Sequence, residues 1–188
     1  LTEVSGLPPT ERILPALKSA MVTGDSASVT LVNRWLERWP DVPLINAYGP
    51  TEAADDICQS VLSKPIADDQ VNVPIGVPLD NMSVLVLGPE RSLQPVGVPG
   101  EICVSGIGVG AGYWNRPQLT ADVFVGNPYT DSTFGETLYR TGDLGRWRRN
   151  GELEFLGRID GQVKIRGFRV ELGEIEAAVA GIEARGLD

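Results

Sequence analysis

The sequence predicts an α/β unit followed by a β-rich, barrel-like unit. Three observations predict this fold class. In the first 45 residues, apolar side chains at helical spacing precede a short apolar run typical of a parallel strand. From about residue 71 onward, short apolar runs alternate with glycine and proline, as in sheets built from short strands. The dipeptide Asn150-Gly151 lies between two apolar runs, which is a strong signal for a β-hairpin.

The α/β unit is expected to begin with a strand that ends at Val22, followed by a turn over residues 23–26. Ser26 or Ser28 can cap the helix that follows. Pro40 ends this helix, because proline cannot continue the backbone hydrogen bonding. The apolar residues that recur at helical spacing are Val29, Val32, Leu36 and Trp39, with Leu31 and Trp35 alongside.

The apolar run over residues 42–47 predicts a parallel strand. In open α/β sheets, ligands bind at the carboxyl ends of such strands. The loop that begins at Tyr48 is therefore a candidate ligand site.

The β-rich unit contains a small number of strand candidates and one predicted helix. A helix is expected to begin at Pro117, since proline is favoured at the first helical position, with Leu119, Val123 and Phe124 on one face. The strand candidates are residues 83–87, 101–105 and 153–156.

The last part of the chain has a different pattern. Residues 163–165 and 168–170 are expected to pair, and residues 171–184 carry early acidic side chains and helical apolar spacing. A two-stranded hairpin and one helix bury little surface on their own, so we expect the beginning of a further domain. These patterns divide the chain into residues 1–70, 71–159 and 160–188.

Composition excludes several classes of function. The net charge of −9 argues against nucleic acid as a partner, because phosphate backbones are bound by basic surfaces. No apolar run approaches the ~20 residues of a membrane-spanning helix, so no membrane partner and a cytoplasmic location are expected. Cys58 and Cys103 lack metal-ligand spacing and are interpreted as buried free thiols. The chain has no histidine, which excludes Ser-His-Asp catalysis and leaves carboxylates, Lys, Arg and a metal.

Three loops predict a nucleotide pocket. Residues 139–144 read Tyr-Arg-Thr-Gly-Asp-Leu, and residues 157–167 follow with Arg, Asp, Lys and three glycines. An Asp can accept both hydroxyls of a ribose, and a nearby Arg can hold the same sugar from the other side. The upstream run Asn-Ala-Tyr-Gly-Pro-Thr-Glu at residues 46–52 would complete the pocket. The glycines at 106, 108, 110 and 112 lack a following Lys-Ser/Thr and the strand–turn–helix context, so a structural loop is predicted there.

Four motifs in series resemble the adenylation domains of nonribosomal peptide synthetases, within the adenylate-forming enzymes. The likeness runs from about residue 13 to 184, and proline at position 50 is typical of the peptide-synthetase branch. It implies the C-terminal part of the large subdomain, an α/β layer with a small distorted β-barrel, and the start of the small α+β subdomain. The motifs are residues 46–52, residues 100–106 with 112–117, residues 139–144 and residues 157–176.

The resemblance implies roles for several residues of the first motif. Asn46 would hydrogen-bond the adenine, Tyr48 would stack on its face, and Gly49 would also belong to the nucleotide site. Thr51 would touch phosphate. Glu52 would hold Mg²⁺.

The later motifs would supply the sugar site and the moving part of the enzyme. The resemblance implies that Asp143 accepts the ribose hydroxyls, that Arg158 reaches the ribose and that Phe155 lies against the nucleotide. Asp160 would be the hinge of the small subdomain. Lys164 would serve the second, thioester-forming arrangement.

The pattern of the family also places five residues near the substrate side chain, and two of them are carboxylates. A carboxylate that points inward would favour a basic or hydroxylated substrate, because a buried unpaired charge is costly. The alternative is that both carboxylates face solvent or cap a helix. The five residues are Met21, Thr23, Ala47, Asp55 and Asp56.

The implied reaction joins an amino acid to ATP, with release of pyrophosphate, and then transfers it to a phosphopantetheine thiol of a peptidyl carrier protein domain. The remainder of the synthetase would be a further partner. Two alternatives stay open: an acyl- or aryl-acid ligase, and a non-catalytic subdomain used for docking or specificity. The phosphate loop, the aspartate for the substrate amine and the catalytic lysine of the family are absent from the chain. We therefore expect it to be inactive alone, as a cut piece or one segment of an interrupted domain.

Overall fold

The computed structural model describes residues 16–67, 70–129, 135–160, 162–165, 168–170 and residue 175. The helices are α1 (Val29–Arg38) and α2 (Pro117–Val123), with short 3₁₀ turns at Thr51–Ala53 and Pro89–Arg91. None of the helices in these ranges has the length and apolar character that crossing a membrane requires. The strands are β1 (Ala20–Val22), β2 (Leu44–Tyr48), β3 (Cys58–Leu62), β4 (Val77–Pro78), β5 (Met82–Leu87), β6 (Gly100–Gly106), β7 (Phe124–Gly126), β8 (Thr137–Trp147), β9 (Leu153–Arg158), β10 (Val163–Ile165) and β11 (Phe168–Val170).

The first sheet has four strands in the order β1-β2-β3-β4. β1 and β2 are parallel, which confirms the strand predicted before Tyr48, and the other pairs are antiparallel. Helix α1 packs on this sheet by burying Val32, Trp35 and Leu36 against Leu44. The helical spacing of these side chains accounts for the apolar stripe that makes the contact.

The capping of α1 resolves an alternative left open by the sequence. Ser28 is the cap, because its hydroxyl accepts the backbone N–H of Leu31 at 3.2 Å. Ser26 lies earlier, in the loop after β1. The helix ends at Arg38, two residues before Pro40, as the proline predicts.

The second sheet has five antiparallel strands, with β5, β6, β8 and β7 in order and β9 also paired to β8. β8 is 11 residues long. One of its edges pairs with β6, while the other pairs first with β7 and then with β9. The hairpin predicted from Asn150-Gly151 is confirmed, since Trp147 lies opposite Leu153 across it.

A shared core joins the two sheets. The backbone N–H of Ile75 donates to the carbonyl of Leu153 at 2.9 Å, and the N–H of Leu153 donates to Gly76 at 2.7 Å. Apolar side chains from both sheets also pack together in this core, and their burial is the main favourable term in folding. This packing fixes the end of β2 beside the second half of β8. The buried core residues are Tyr48, Ala53, Ile57, Cys58, Ile75, Val84, Val86, Ile102, Val104 and Leu153.

The helix predicted from Pro117 begins there but is shorter than expected. It ends at Val123, and Phe124 already belongs to β7. Leu119 and Val123 are four residues apart and share one face of α2, although Leu119 is 49% exposed. Phe124 lies outside the helix, so this part of the predicted face is wrong.

The end of the chain is described in part. β10 and β11 form the predicted antiparallel hairpin, with the Lys164 position opposite Arg169. Apart from residue 175, the helix predicted over 171–184 lies outside the described residues. β4 still pairs with the first sheet, and the division at residues 70 and 159 stays a prediction.

Both cysteines are buried and free, as predicted. Burial raises the pKa of the Cys58 thiol to about 12. Burial also raises the pKa of Cys103 to about 12, with a contribution from the charge of Glu101. Both thiols are therefore protonated at neutral pH and have little nucleophilic character.

Candidate nucleotide site

Asp143 lies near the middle of β8 and its residue surface is only 3% exposed. Strand alternation places it on the same buried side as Thr141 and Gly145. The hydroxyl of Thr141 accepts the backbone N–H of Asp143 at 2.9 Å and donates to the carbonyl of Ile102 at 2.7 Å. These bonds hold the strand so that the Asp143 carboxylate faces the end of β2.

Tyr48 meets this carboxylate although the two residues are 95 positions apart in the chain. Its hydroxyl donates to Oδ2 of Asp143 at 2.5 Å. Burial raises the pKa of Tyr48 well above its ordinary value, and the negative charge of Asp143 raises it further. The phenol therefore stays protonated and acts as a hydrogen-bond donor to Asp143.

Arg158 reaches the same carboxylate from the neighbouring strand, because Asp143 and Arg158 lie opposite each other in the β8–β9 pairing. Its Nη1 donates to Oδ1 of Asp143 at 2.9 Å and to the carbonyl of Thr141 at 3.0 Å. Its Nε donates to Oδ1 of Asp160 at 2.8 Å, and its Nη2 pairs with the other oxygen of Asp160. Burial would lower the pKa of Arg158, but the hydrogen bond with Asp160 and the charge of Asp143 raise it above its ordinary value.

A small cleft of about 40 Å³ opens beside Tyr48. The rings of Tyr48 and Phe155 face it, with their centroids 6.1 Å apart. The opposite side is the loop after β1, which the sequence predicted only as a turn. The lining residues are Gly24, Asp25, Ser26, Ala47, Tyr48, Gly49 and Phe155.

Asn46 precedes Ala47 in β2 and does not line this cleft. It is buried in β2, and its amide Nδ2 donates to the carbonyl of Pro74 at 2.8 Å. Its predicted contact with adenine stays a prediction.

Thr51 and Glu52 follow the cleft in a 3₁₀ turn. Thr51 is exposed, and the Glu52 carboxylate accepts the hydroxyl of Tyr113 at 2.5 Å. In the part of the chain that the structure describes, no group of three or more acidic or cysteine side chains could hold a metal. The site nevertheless fits Mg²⁺, which is bound through one or two carboxylates together with phosphate oxygens and water.

The predicted substrate residues lie where β1 and β2 end and where β3 begins. The hydroxyl of Thr23 donates to Oδ1 of Asp56 at 2.8 Å. Asp55 is exposed, and Ala47 is buried between the neighbouring strands. Met21 is 48% exposed. Of the two carboxylates, only Asp56 is therefore held by another member of this set.

Comparison with known proteins shows the family to which this chain belongs. A family profile described as "AMP-binding enzyme" matches residues 2–114, more than half of the chain. The chain belongs to this family. Tyrocidine synthase 1 of Brevibacillus parabrevis is 46% identical over 181 residues, covering 92% of this chain and 16% of the relative. Gramicidin S synthase 2 of Brevibacillus brevis is 46% identical over 167 residues, covering 89% of this chain and 4% of the relative.

Solved structures agree with this AMP-binding family assignment. Holo-PA1221, an NRPS protein containing adenylation and PCP domains bound to a vinylsulfonamide inhibitor, matches with a TM-score of 0.81 and 35% identity, over 93% of this chain and 30% of that one. IdnL1 matches with a TM-score of 0.79 and 32% identity, over 87% of this chain and 33% of that one. The resemblance to adenylation domains of nonribosomal peptide synthetases is thus confirmed. The chain spans about a third or less of these proteins.

Proposed function

We propose that this AMP-binding family member is the nucleotide-binding part of an ATP-dependent ligase that activates an amino acid for nonribosomal peptide synthesis. The convergence of Tyr48 and Arg158 on the buried carboxylate of Asp143, next to an open cleft, carries the proposal. These residues come from three different strands. A purely structural ion pair would not require an aromatic ring and a cleft beside it.

Different members of the group Tyr48, Asp143 and Arg158 would bind the base and the sugar of ATP. The ring of Tyr48, opposite the Gly24 loop, offers an apolar face to adenine. Among the described residues, each carboxylate oxygen of Asp143 accepts one hydrogen bond, which leaves a second lone pair. The ribose hydroxyls can donate to these lone pairs, while Arg158 holds the carboxylate from the other side.

The first reaction then needs positioning more than acid–base help. A carboxylate oxygen of the amino acid forms a bond to the α-phosphorus of ATP, and the bond from that phosphorus to the bridging oxygen breaks. Pyrophosphate leaves with the electron pair. Because the attacking acid is ionised at neutral pH, no general base is required, in agreement with a chain that has no histidine.

Thr51 and Glu52 are proposed to serve the phosphates. Glu52 would hold Mg²⁺, and the hydroxyl of Thr51 would contact a phosphate oxygen. When bound, the cation would neutralise the negative charge of the triphosphate.

The amino-acid substrate is proposed to carry a basic or hydroxylated side chain. Among the described residues, Asp56 is held by Thr23 through one oxygen, at 2.8 Å. A substrate amine or hydroxyl could donate to the other carboxylate oxygen, and Ala47 and Met21 are proposed to line the rest of the substrate pocket. Asp55 is exposed and would contribute charge at a distance.

A second reaction is proposed with a carrier protein domain as the partner. The thiol of its phosphopantetheine would attack the acyl carbon, form a thioester and release AMP, with the thiol proton passing to solvent. Asp160 would act as the hinge between the two arrangements, and Lys164 would serve the second. Both roles rest on the resemblance of residues 157–176 to the family.

The test is ATP–pyrophosphate exchange by the complete adenylation domain that contains this chain, with a panel of amino acids and aryl acids. We expect exchange with basic or hydroxylated amino acids, and at least a hundredfold loss in Asp143→Ala. Asp122→Ala is the matched control, since Asp122 is an exposed carboxylate on α2. Exchange with a benzoate-type acid and none with amino acids would reject the proposal. We expect the chain in isolation to show no exchange.

A further inference from the structure

The glycine-containing loop between β6 and α2 lies directly on the turn that carries Glu52. The backbone N–H of Gly110 donates to the carbonyl of Glu52 at 2.8 Å. A Cβ at Gly110 would lie 3.1 Å from that carbonyl oxygen, and a Cβ at Gly108 would lie 3.1 Å from the carbonyl oxygen of Ala53. The two backbones therefore approach each other closely, and the loop supports the 3₁₀ turn from one side.

The same loop delivers a side chain to the Glu52 carboxylate. The hydroxyl of Tyr113 donates to Oε1 of Glu52 at 2.5 Å, across 61 positions of sequence. The backbone N–H of Tyr113 donates to the hydroxyl of Thr120 at 2.9 Å. Its ring packs edge-on against Phe124, with a centroid distance of 5.6 Å.

This aromatic contact continues into the strand that carries the sugar-binding carboxylate. The ring centroids of Phe124 and Tyr139 are 4.8 Å apart. Tyr139 is buried in β8, four residues before Asp143. Tyr113 is therefore fixed by its backbone, its ring and its hydroxyl, with β8 as the rigid base.

We propose that Tyr113 is a positioning residue that orients the Glu52 carboxylate, and that the loop over residues 106–113 is its support. The inference rests on the proposed role of Glu52 toward Mg²⁺. A glutamate on a short turn has several rotamers, and selecting one costs conformational entropy when metal and phosphate bind. A hydrogen bond from a phenol to a carboxylate is charge-assisted and selects one orientation in advance.

The experiment compares Tyr113→Phe with wild type in the complete adenylation domain. Binding of Mn²⁺ together with a nonhydrolysable ATP analogue is followed by electron paramagnetic resonance, and the Mg²⁺ dependence of exchange is measured separately. We expect Tyr113→Phe to weaken Mn²⁺ binding about tenfold, since it removes one hydrogen bond to a charged group. The Mg²⁺ concentration for half-maximal exchange should rise by a similar factor.

Tyr129→Phe is the matched control. The Tyr129 hydroxyl also donates one hydrogen bond, to the carbonyl of Arg91 at 2.7 Å, but it is on the exposed surface. We expect wild-type Mn²⁺ binding in this variant. Gly110→Ala provides a second perturbation that keeps the phenol, because its methyl group would press on the Glu52 carbonyl, and it should also weaken Mn²⁺ binding.

Two results separate failure of the inference from failure of the proposed function. If Glu52→Gln weakens Mn²⁺ binding while Tyr113→Phe and Gly110→Ala bind like wild type, the positioning role is overturned. If Glu52→Gln itself binds Mn²⁺ like wild type, the proposed metal role of Glu52 fails and the inference fails with it. In the double variant Tyr113→Phe/Glu52→Gln, we expect no further loss beyond Glu52→Gln, whereas additive losses would contradict an action through Glu52.

Discussion

Replacing Tyr48 by Phe separates the two roles that we propose for one side chain. The substitution keeps the ring that lines the cleft and removes only the hydroxyl that donates to Asp143 at 2.5 Å. Arg158 remains on the other carboxylate oxygen. The carboxylate therefore keeps its ion pair with Arg158, but loses one of the two contacts that fix its orientation.

The magnitude follows from the type of bond removed. A hydrogen bond to a charged group contributes about 1.5–3 kcal/mol, and 1.4 kcal/mol corresponds to a factor of about ten in affinity. We expect the Kd for ATP to rise about 10- to 100-fold, with stacking of the base retained. Thermal stability should also fall, because a buried oxygen of Asp143 loses its donor.

The assay is calorimetric titration of ATP into the complete domain, with the KM for ATP from pyrophosphate exchange as a second readout. Tyr48→Ala, which removes ring and hydroxyl together, should bind ATP more weakly than Tyr48→Phe. If Tyr48→Phe binds ATP with wild-type affinity, the hydroxyl does not orient the Asp143 carboxylate for ATP and the reasoning from this contact is refuted.

Three further predictions concern stability and reactivity. Burial would raise the pKa of Glu154, but hydrogen bonds from its two arginine partners lower the pKa below its ordinary value. The ionised Glu154 therefore stabilises the fold above the unfolded pKa of about 4.3, and this stabilisation is lost as pH falls through the lower folded pKa. Glu154→Gln should thus reduce the free energy of unfolding by about 1–3 kcal/mol at pH 7 and by less near pH 3, and a pH-independent difference in denaturant titrations would contradict this. Iodoacetamide should leave Cys58 and Cys103 unmodified in the folded domain at pH 8 and should modify both in denaturant, and peptide mass mapping would detect the modification. Rapid modification of the folded domain would show that these cysteines are not buried, protonated thiols. Gly49→Ala would place a Cβ 1.5 Å from the carbonyl oxygen of Asp55, so both the melting temperature and ATP affinity should fall, and an unchanged variant would mean that the loop has room.

The sequence predicted best where local chemistry is strong. The hairpin at Asn150-Gly151 and the parallel strand before Tyr48 are found where turn residues and an apolar run placed them. Strand β8 was missed because its buried side carries Thr141 and Asp143. Polar residues on the inner face cancel the apolar alternation that identifies a strand, and these polar residues are the ones the candidate site uses.

Contacts between residues far apart in the chain could not be predicted from local sequence patterns. The resemblance placed Tyr48, Asp143 and Arg158 in one pocket, but it did not indicate that the first donates to the second. The contact between Tyr113 and Glu52 was also missed, since the glycines before Tyr113 were interpreted only as a structural loop. A signal was present in the tyrosine that directly follows the last of these glycines, but spacing along the chain does not show which turn it meets.

The guanidinium of Arg158 connects regions that would otherwise respond separately. It binds Asp143, the carbonyl of Thr141 and both oxygens of Asp160. A backbone rotation at residue 160 that moved the Asp160 carboxylate away from Asp143 would break both bonds between Arg158 and Asp160 together. The planar guanidinium of Arg158 cannot stay bonded to two carboxylates that move apart. If residue 160 is the hinge that we propose, these bonds would favour the arrangement described here and would have to break before a second arrangement forms.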